Sequence, residues 1–373
     1  MKVLVVSPVL VSAEDGIIPE IRTIKETMIY NLCLGFVANG HQVTMAAAAE
    51  YQPVREEDGY DCEVVFFKSV LTRVFLPAAI PLSFDFYRYL KARHPEFDLI
   101  VCSEVFTFYT LVASFVCASK TVIWQEMTCH QKKFGKIPSK IWHRVMAPLF
   151  MRKVKCVIPR SGKARFFIGQ YMKQVSPEYV DHGINVSCFE FSKEKKRQLI
   201  CSSQLVYRKN VESIIRIYSR LIRIKGYEDI PLLIAGRGDL RPVLEALVLQ
   251  LNLQDKITFL GFLNQKTLNQ VIRESYVFLT NTRQDLNMVS IQEAIVSGTP
   301  VITNLAPASS DYIAKAKLGI AKDNWDENDI VEIIENNPYY VDNCVSYRDK
   351  LTNSYCAGRI VAIALQQEPV VNE

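Results

Sequence analysis

No run in this 373-residue sequence is long and apolar enough to cross a bilayer as a helix. The longest weakly polar stretch, Val74 to Phe84, is broken by Pro77 and Pro81 and reaches about half the ~20 residues a spanning helix needs. The ten cysteines include no Cys-x-x-Cys and have no histidine partners at zinc spacing. Zinc-ribbon and dithiol-redox classes are thereby excluded, and free buried thiols in a reducing cytoplasm are the simplest account. Asp-x-Asp and metal-ligand clusters are missing too, as are short repeats and low-complexity segments, so no metal is expected. The opening Met1-Lys2-Val3-Leu4-Val5-Val6-Ser7-Pro8 is too short for a signal-peptide core and reads as a first buried strand.

Acidic residues are absent in a second, local sense. The net charge is only +5, yet Met127 to Pro177 holds no Asp or Glu. Lys132, Lys133, Lys136, Lys140, Arg144, Arg152, Lys153 and Lys155 all fall there. A solvated basic face and a patch for anionic lipid or a phosphorylated acceptor both fit; nucleic acid fits less well, because no binding motif accompanies the charge. The apolar segment Leu71 to Phe84, with Arg73 and Arg88 nearby, is open to core packing or to docking on the same lipid.

What is present is a globular composition, 49% hydrophobic and 22% charged, at a length that suits two domains of roughly 150 residues or more. Short β-branched runs alternate with amphipathic stretches: Val3 to Ser7, a helical pattern ending at Ala38, then Gln42 to Ala46, Leu99 to Cys102, Val122 to Trp124 and Cys156 to Ile158. This alternation marks βα units on a parallel sheet. A second series contains Leu199 to Ser202, Pro231 to Ala235, Lys256 to Phe259, Tyr276 to Thr280 and Pro300 to Thr303. The linker is placed near residues 184 to 197, and Ser354 to Gln366 is amphipathic enough for a closing helix.

The most informative stretch runs from Thr280 to Thr303 and reads as strand, loop, helix, turn, strand. Asp285 falls in the loop at a strand's carboxyl end, where ligands of open α/β sheets collect, and Glu293 follows two turns into the helix. A helix starting near Asn287 presents unpaired N–H groups and a positive dipole end, which suits a diphosphate. Carboxylates suit sugar and ribose hydroxyls. The same spacing also fits a loop cap and a surface helix residue.

This segment resembles the signature of glycosyltransferase family 4, retaining enzymes of the GT-B fold: an acid, seven residues, Glu-Ala, then Gly-x-Pro-Val. Asp285, Glu293-Ala294 and Gly298-Thr299-Pro300-Val301 occupy those positions. The resemblance assigns the ribose to Glu293, the donor sugar to Asp285 and the phosphates to the Leu286-Asn287-Met288 backbone. The family's first acid is usually Glu followed by a small residue, where this chain has Asp285 and Leu286.

Other matches extend along the chain. Ser203-Gln204-Leu205-Val206-Tyr207-Arg208-Lys209-Asn210 looks like the family's Gly-Arg-Leu-x-x-x-Lys-Gly loop. It makes Lys209 the phosphate-binding lysine, with Arg208 a candidate substitute for the arginine replaced by Gln204. Ile234-Ala235-Gly236-Arg237-Gly238-Asp239 fits the family's strand and glycine turn; Arg241 stands where a dinucleotide fingerprint needs its third glycine. Phe259-Leu260-Gly261-Phe262-Leu263 resembles the strand end whose loop covers the base, and His182-Gly183-Ile184-Asn185 the turn entering the linker. In the first half the family's glycine loop is reduced to Gly16, and its histidine shortly after the strand equivalent to Val122-Ile123-Trp124 is replaced by Glu126, with His130 four residues on. Each of these could line the acceptor side or serve structure.

The resemblance therefore implies an α/β GT-B protein of two Rossmann-like domains facing each other across a cleft. The domains would be 1–185 on the acceptor side and 186–353 for the nucleotide sugar, and a C-terminal helix and tail, 354–373, could pack back on the first. It implies a retaining, metal-independent hexosyl or related transferase. Lys209, Asp285 and Glu293 would be catalytic, and Arg208, Gly236, Phe262, Leu286, Asn287 and Met288 donor-binding. No cofactor is implied beyond a UDP- or GDP-linked donor. The acceptor would be a lipid-linked glycan in surface polysaccharide assembly, met by a cytoplasmic chain peripheral to an anionic membrane. A GT-B nucleotide-sugar epimerase and a catalytically silent GT-B binding protein remain as alternatives.

Overall fold

The structure, a computed structural model, describes residues 1–11, 21–54, 59–75, 80–131, 133–284 and 288–366. Gly16, Asp285, Leu286 and Asn287 lie outside the described residues. The chain divides into two compact units: Met1–Gly183 with Thr352–Glu373, and Ile184–Leu351.

Among the described residues the strands form two six-stranded sheets, each parallel throughout. The first comprises β1 (Lys2–Val6), β2 (Gln42–Ala48), β3 (Glu63–Phe67), β4 (Leu99–Ser103), β5 (Thr121–Gln125) and β6 (Cys156–Pro159), in the order β3-β2-β1-β4-β5-β6. The second comprises β7 (Lys196–Ser202), β8 (Leu232–Ala235), β9 (Ile257–Gly261), β10 (Ser275–Leu279), β11 (Val301–Thr303) and β12 (Gly319–Ala321), in the order β12-β11-β10-β7-β8-β9. Parallel strands covered by helices on both faces bury consecutive side chains, so β1 and β5 read as continuous apolar runs rather than alternating ones. In the centre of the first sheet Val5 sits opposite Met45 on β2 and Val101 on β4.

In each sheet the strand order reverses beside the unit's first strand, between β1 and β4 and between β10 and β7. The loops leaving adjacent strands there turn to opposite faces, opening a crevice at their carboxyl ends.

The last helix, Asn353–Gln366, completes the first unit's core. Cys356, Ala357, Ile360, Ile363 and Ala364 are buried with Ile29, Leu32, Cys33 and Phe36 of the helix Met28–Ala38. Gly35 makes the approach close enough: a Cβ there would stand 2.1 Å from the Asn353 carbonyl oxygen. Asn39 closes the contact, its amide donating to the Ser354 carbonyl at 2.8 Å. The ten cysteines are free thiols among the described residues.

Candidate functional site

The second unit gathers most of its candidate residues along the carboxyl edge of one sheet. The loop after β7 makes a single 3-10 turn, Tyr207–Lys209, closed by Asn210 in the left-handed region at φ 51. Asparagine tolerates that conformation better than most residues, which explains how it stands where the family pattern has glycine. This turn is fastened to the segment leaving β10, the neighbouring strand. Arg208 O accepts both the Thr282 hydroxyl and the Arg283 amide, each at 2.8 Å, and Asn281 donates to Ser213 Oγ at 2.8 Å. The Arg283 guanidinium lies 4.1 Å from the Tyr207 ring centre. Lys209 and the approach to Asp285 thus belong to one cross-linked edge at the switch point, with Lys209 half-buried.

Gln204 and Arg208 are joined, the guanidinium donating to the Gln204 amide oxygen at 2.9 Å. The Arg208 guanidinium is thereby held beside Gln204 on this edge.

After β8 and β9 the chain forms a cavity of about 360 Å³, lined by Ser202, Gln204, Gly236, Arg237, Phe262 and Leu263 among others. The Arg237 guanidinium lies 4.3 Å from the Phe262 ring centre, a flat cationic and aromatic pair at the rim. Gly236 has φ 132, and a Cβ on it would stand 1.9 Å from Ser203 O. Gly236→Ala is accordingly expected to cost more than about 3 kcal/mol, combining backbone strain with a collision against main chain. A thermal melt of the variant matching wild type would refute this.

The helix Val289–Val296 begins two residues later than its sequence pattern suggests, with Met288 as its buried N-cap residue. Glu293 is half-buried, and Gln265 Nε2 donates to its Oε1 at 3.2 Å. Burial raises the Glu293 carboxyl above the usual range, and the Gln265 bond opposes that shift.

In the first unit Glu126 directly follows β5 and pairs with Arg160, a nearly fully buried arginine whose guanidinium lies 4.3 Å from the Trp124 ring centre. His130 has both ring nitrogens engaged, Nε2 with the Tyr171 hydroxyl at 3.0 Å and Nδ1 with Ser139 Oγ at 3.3 Å. Burial first, then Lys140, Arg144 and Lys136, lower its pKa and favour the neutral ring.

Sequence reasoning missed Arg237, Gln265 and Glu104. The first two sit in loops and helix starts without distinctive spacing. Glu104 leaves β4, beside the first unit's switch point, in the left-handed region at φ 67. Its Oε1 accepts the Glu126 amide at 2.6 Å and the Met127 amide at 3.3 Å. Burial, then the Glu126 charge, pushes its carboxyl up to about 8. A carboxyl with a folded-state pKa above its unfolded value keeps its proton longer when folded. Its contribution to stability therefore falls as pH rises from the ordinary carboxylate range toward about 8, and is constant above. Glu104→Gln is expected to flatten the decline of Tm between pH 5 and 8; identical slopes in both proteins would count against it.

Two parallel sheets of this order, each with its crevice at the carboxyl edge, define the GT-B class of fold. Solved structures agree: lipopolysaccharide outer core galactosyltransferase WaaB (TM-score 0.67, 14% identity, 99% of this chain and 100% of that one) and Anabaena HepE in complex with UDP (TM-score 0.65, 13% identity, 99% and 100%). Within the chain, residues 188–337 match the family model for glycosyl transferases group 1. Its curated relatives include an uncharacterized glycosyltransferase of Methanocaldococcus jannaschii, 30% identical over 34% of this chain and 32% of that protein. Another is the alpha-monoglucosyldiacylglycerol synthase of Streptococcus pneumoniae, 22% identical over 46% of this chain and 42% of that protein. A third is the O-antigen chain mannosyltransferase of Salmonella typhimurium, 24% identical over 50% and 52%. The chain thus matches between about a third and a half of the length of these relatives.

Proposed function

We propose that the chain is a retaining glycosyltransferase that moves a hexosyl or related sugar from a UDP- or GDP-linked donor to a hydroxyl of a lipid-linked glycan, at the inner face of a membrane. One observation carries the donor half of this reading. The turn bearing Arg208 and Lys209 is bonded to the segment that leads to Asp285, at the switch point and beside a cavity of about 360 Å³. Such a site offers cations to a diphosphate and a walled recess to a base.

The base would lie against Arg237 and Phe262, the ribose diol would donate to Glu293, and the diphosphate would meet Lys209, Arg208 and the start of the helix at Met288. In the reaction proposed, the bond from the anomeric carbon to the diphosphate oxygen breaks while the acceptor oxygen bonds on the same face. The acceptor proton passes to the leaving phosphate, and the growing negative charge is met by Lys209 and Arg208. The protein's further task is to hold donor and acceptor in register. Asp285 would take a donor-sugar hydroxyl, and Gly16, Glu126 and His130 the acceptor side.

The HepE complex makes UDP the first nucleotide to test, and the relatives named for a glycolipid and an O-antigen chain make lipid and surface glycan the first acceptors. Thermal-shift titration with UDP, GDP and their sugars decides the donor question. A ligand at a hundred times its Kd stabilises the native state by about 2.7 kcal/mol. A protein whose Tm is unmoved by any of them, at millimolar concentration, is not a nucleotide-sugar enzyme.

A further inference from the structure

The acid-free segment folds into an element with an unusual outward face. Helical segments Ile137–Ile141, Trp142–Met146 and Ala147–Phe150 follow one another without a break, the middle one as a π turn. The inward side is firmly seated: Trp142 Nε1 donates to Val105 O at 2.8 Å, Ser139 and His143 are buried, and Ala147 and Met151 join the apolar core. A helix anchored in this way would ordinarily turn polar residues to water. Here Ile137, Ile141, Val145 and Leu149, one turn apart, are 51–60% exposed.

A basic row runs beside the apolar one. Lys136, Lys140 and Arg144 each precede one of those residues and are exposed, and Arg152 and Lys153 follow at the far end. Phe115, 62% exposed, extends the apolar row by packing on Phe150 with ring centres 5.1 Å apart. At the other end Phe134 is 59% exposed. An apolar ridge flanked by cations, with no acidic residue between Met127 and Pro177, matches a surface that is apolar within and anionic at its rim. A bilayer with anionic headgroups is such a surface. A folded protein partner would have to supply acidic residues along the whole flank of an apolar groove.

We infer that the outward face of the helix spanning 137–150 is where the chain rests on an anionic bilayer, with Ile137, Ile141, Val145 and Leu149 entering the headgroup region and Lys136, Lys140 and Arg144 on the lipid phosphates. The long basic side chains reach the phosphates while their methylenes stay against apolar surface. This deepens the membrane side of the proposed function and rests on it only for the choice of acceptor.

The test is flotation of the full chain with vesicles of phosphatidylcholine, with and without phosphatidylglycerol at about 30%. Wild type is expected to float with the anionic vesicles in low salt and to be released at 1 M salt, where screening shrinks to about 3 Å. Ile141→Ser/Val145→Ser and Lys140→Glu/Arg144→Glu are each expected to reduce the partition coefficient at least tenfold. Lys225→Glu/Lys315→Glu, the same charge change on the second unit, should leave it within twofold. Circular dichroism and the UDP-induced thermal shift show whether each variant is folded. No flotation of wild type in low salt overturns the inference, as does equal loss in the second-unit variant or no loss in the helix variants. A dimer that the serine pair dissolves, in a chain that ignores vesicles, also overturns it, in favour of a second copy as occupant. Because UDP binding is read separately, a chain that binds UDP and not vesicles refutes this surface alone.

Discussion

Lys209→Ala is expected to lower kcat for sugar transfer by about a hundredfold to a thousandfold, the range seen when one preorganised group facing developing charge is removed. The leaving nucleoside diphosphate gains charge as its bond to the sugar breaks, so an ammonium at that oxygen stabilises the transition state more than the bound donor. Half-burial strengthens the effect by displacing water that would otherwise screen it. Position is supplied by the fold: the 3-10 turn, the left-handed Asn210 and the two bonds into Arg208 O hold Lys209 on the edge shared by β7 and β10. Arg208→Ala should cost less, because its guanidinium is partly committed to Gln204. Single-turnover transfer from a UDP-sugar to a membrane lipid extract measures both. A Lys209→Ala enzyme with unchanged kcat would remove the residue from the mechanism, and a change confined to KM would make it a ground-state binder.

The segments proposed to hold the donor were legible as strand, turn and helix because their parts are local. Strand, glycine turn and helix start follow one another within a few residues, and Glu293-Ala294 with Gly298-Thr299-Pro300-Val301 spans one helix and one turn. The inner strands were readable for a related reason, since burial on both faces leaves an apolar run. One edge strand of each sheet escaped notice. β3 is an edge strand with one partner and mostly half-buried side chains, and β12 is three residues long beside β11 alone. Contacts between distant segments left no mark either: Gln265 on Glu293, Arg237 over Phe262, and Arg160 beneath Glu126 are each made by residues whose local spacing is ordinary. The apolar ridge on the helix 137–150 was hidden by its own pattern. Apolar residues one turn apart read as a core face, and only the buried Trp142 and His143 on the opposite side show that the ridge is turned outward.

Glu293→Gln is expected to weaken UDP binding about tenfold to a hundredfold, the equivalent of losing one charge-assisted hydrogen bond of about 1.5–3 kcal/mol. A ribose diol has two hydroxyls to donate and a carboxylate two oxygens to accept them; glutamine keeps the shape but replaces one acceptor by a donor. Gln265 already donates to one oxygen of Glu293, at 3.2 Å, which orients the carboxylate before any ligand arrives and favours its charged form against the burial that raises its pKa. UDP affinity should therefore fall as the solution is acidified through a pH above the ordinary glutamate range, and the Glu293→Gln protein should lose that dependence. Asp285→Asn provides the contrast: in the role proposed for it, on the sugar rather than the nucleotide, it should lower turnover and leave UDP affinity close to wild type. Calorimetric titration of UDP into the three proteins across pH 4.5 to 8 separates the roles, and equal affinity in Glu293→Gln and wild type would take the ribose away from Glu293.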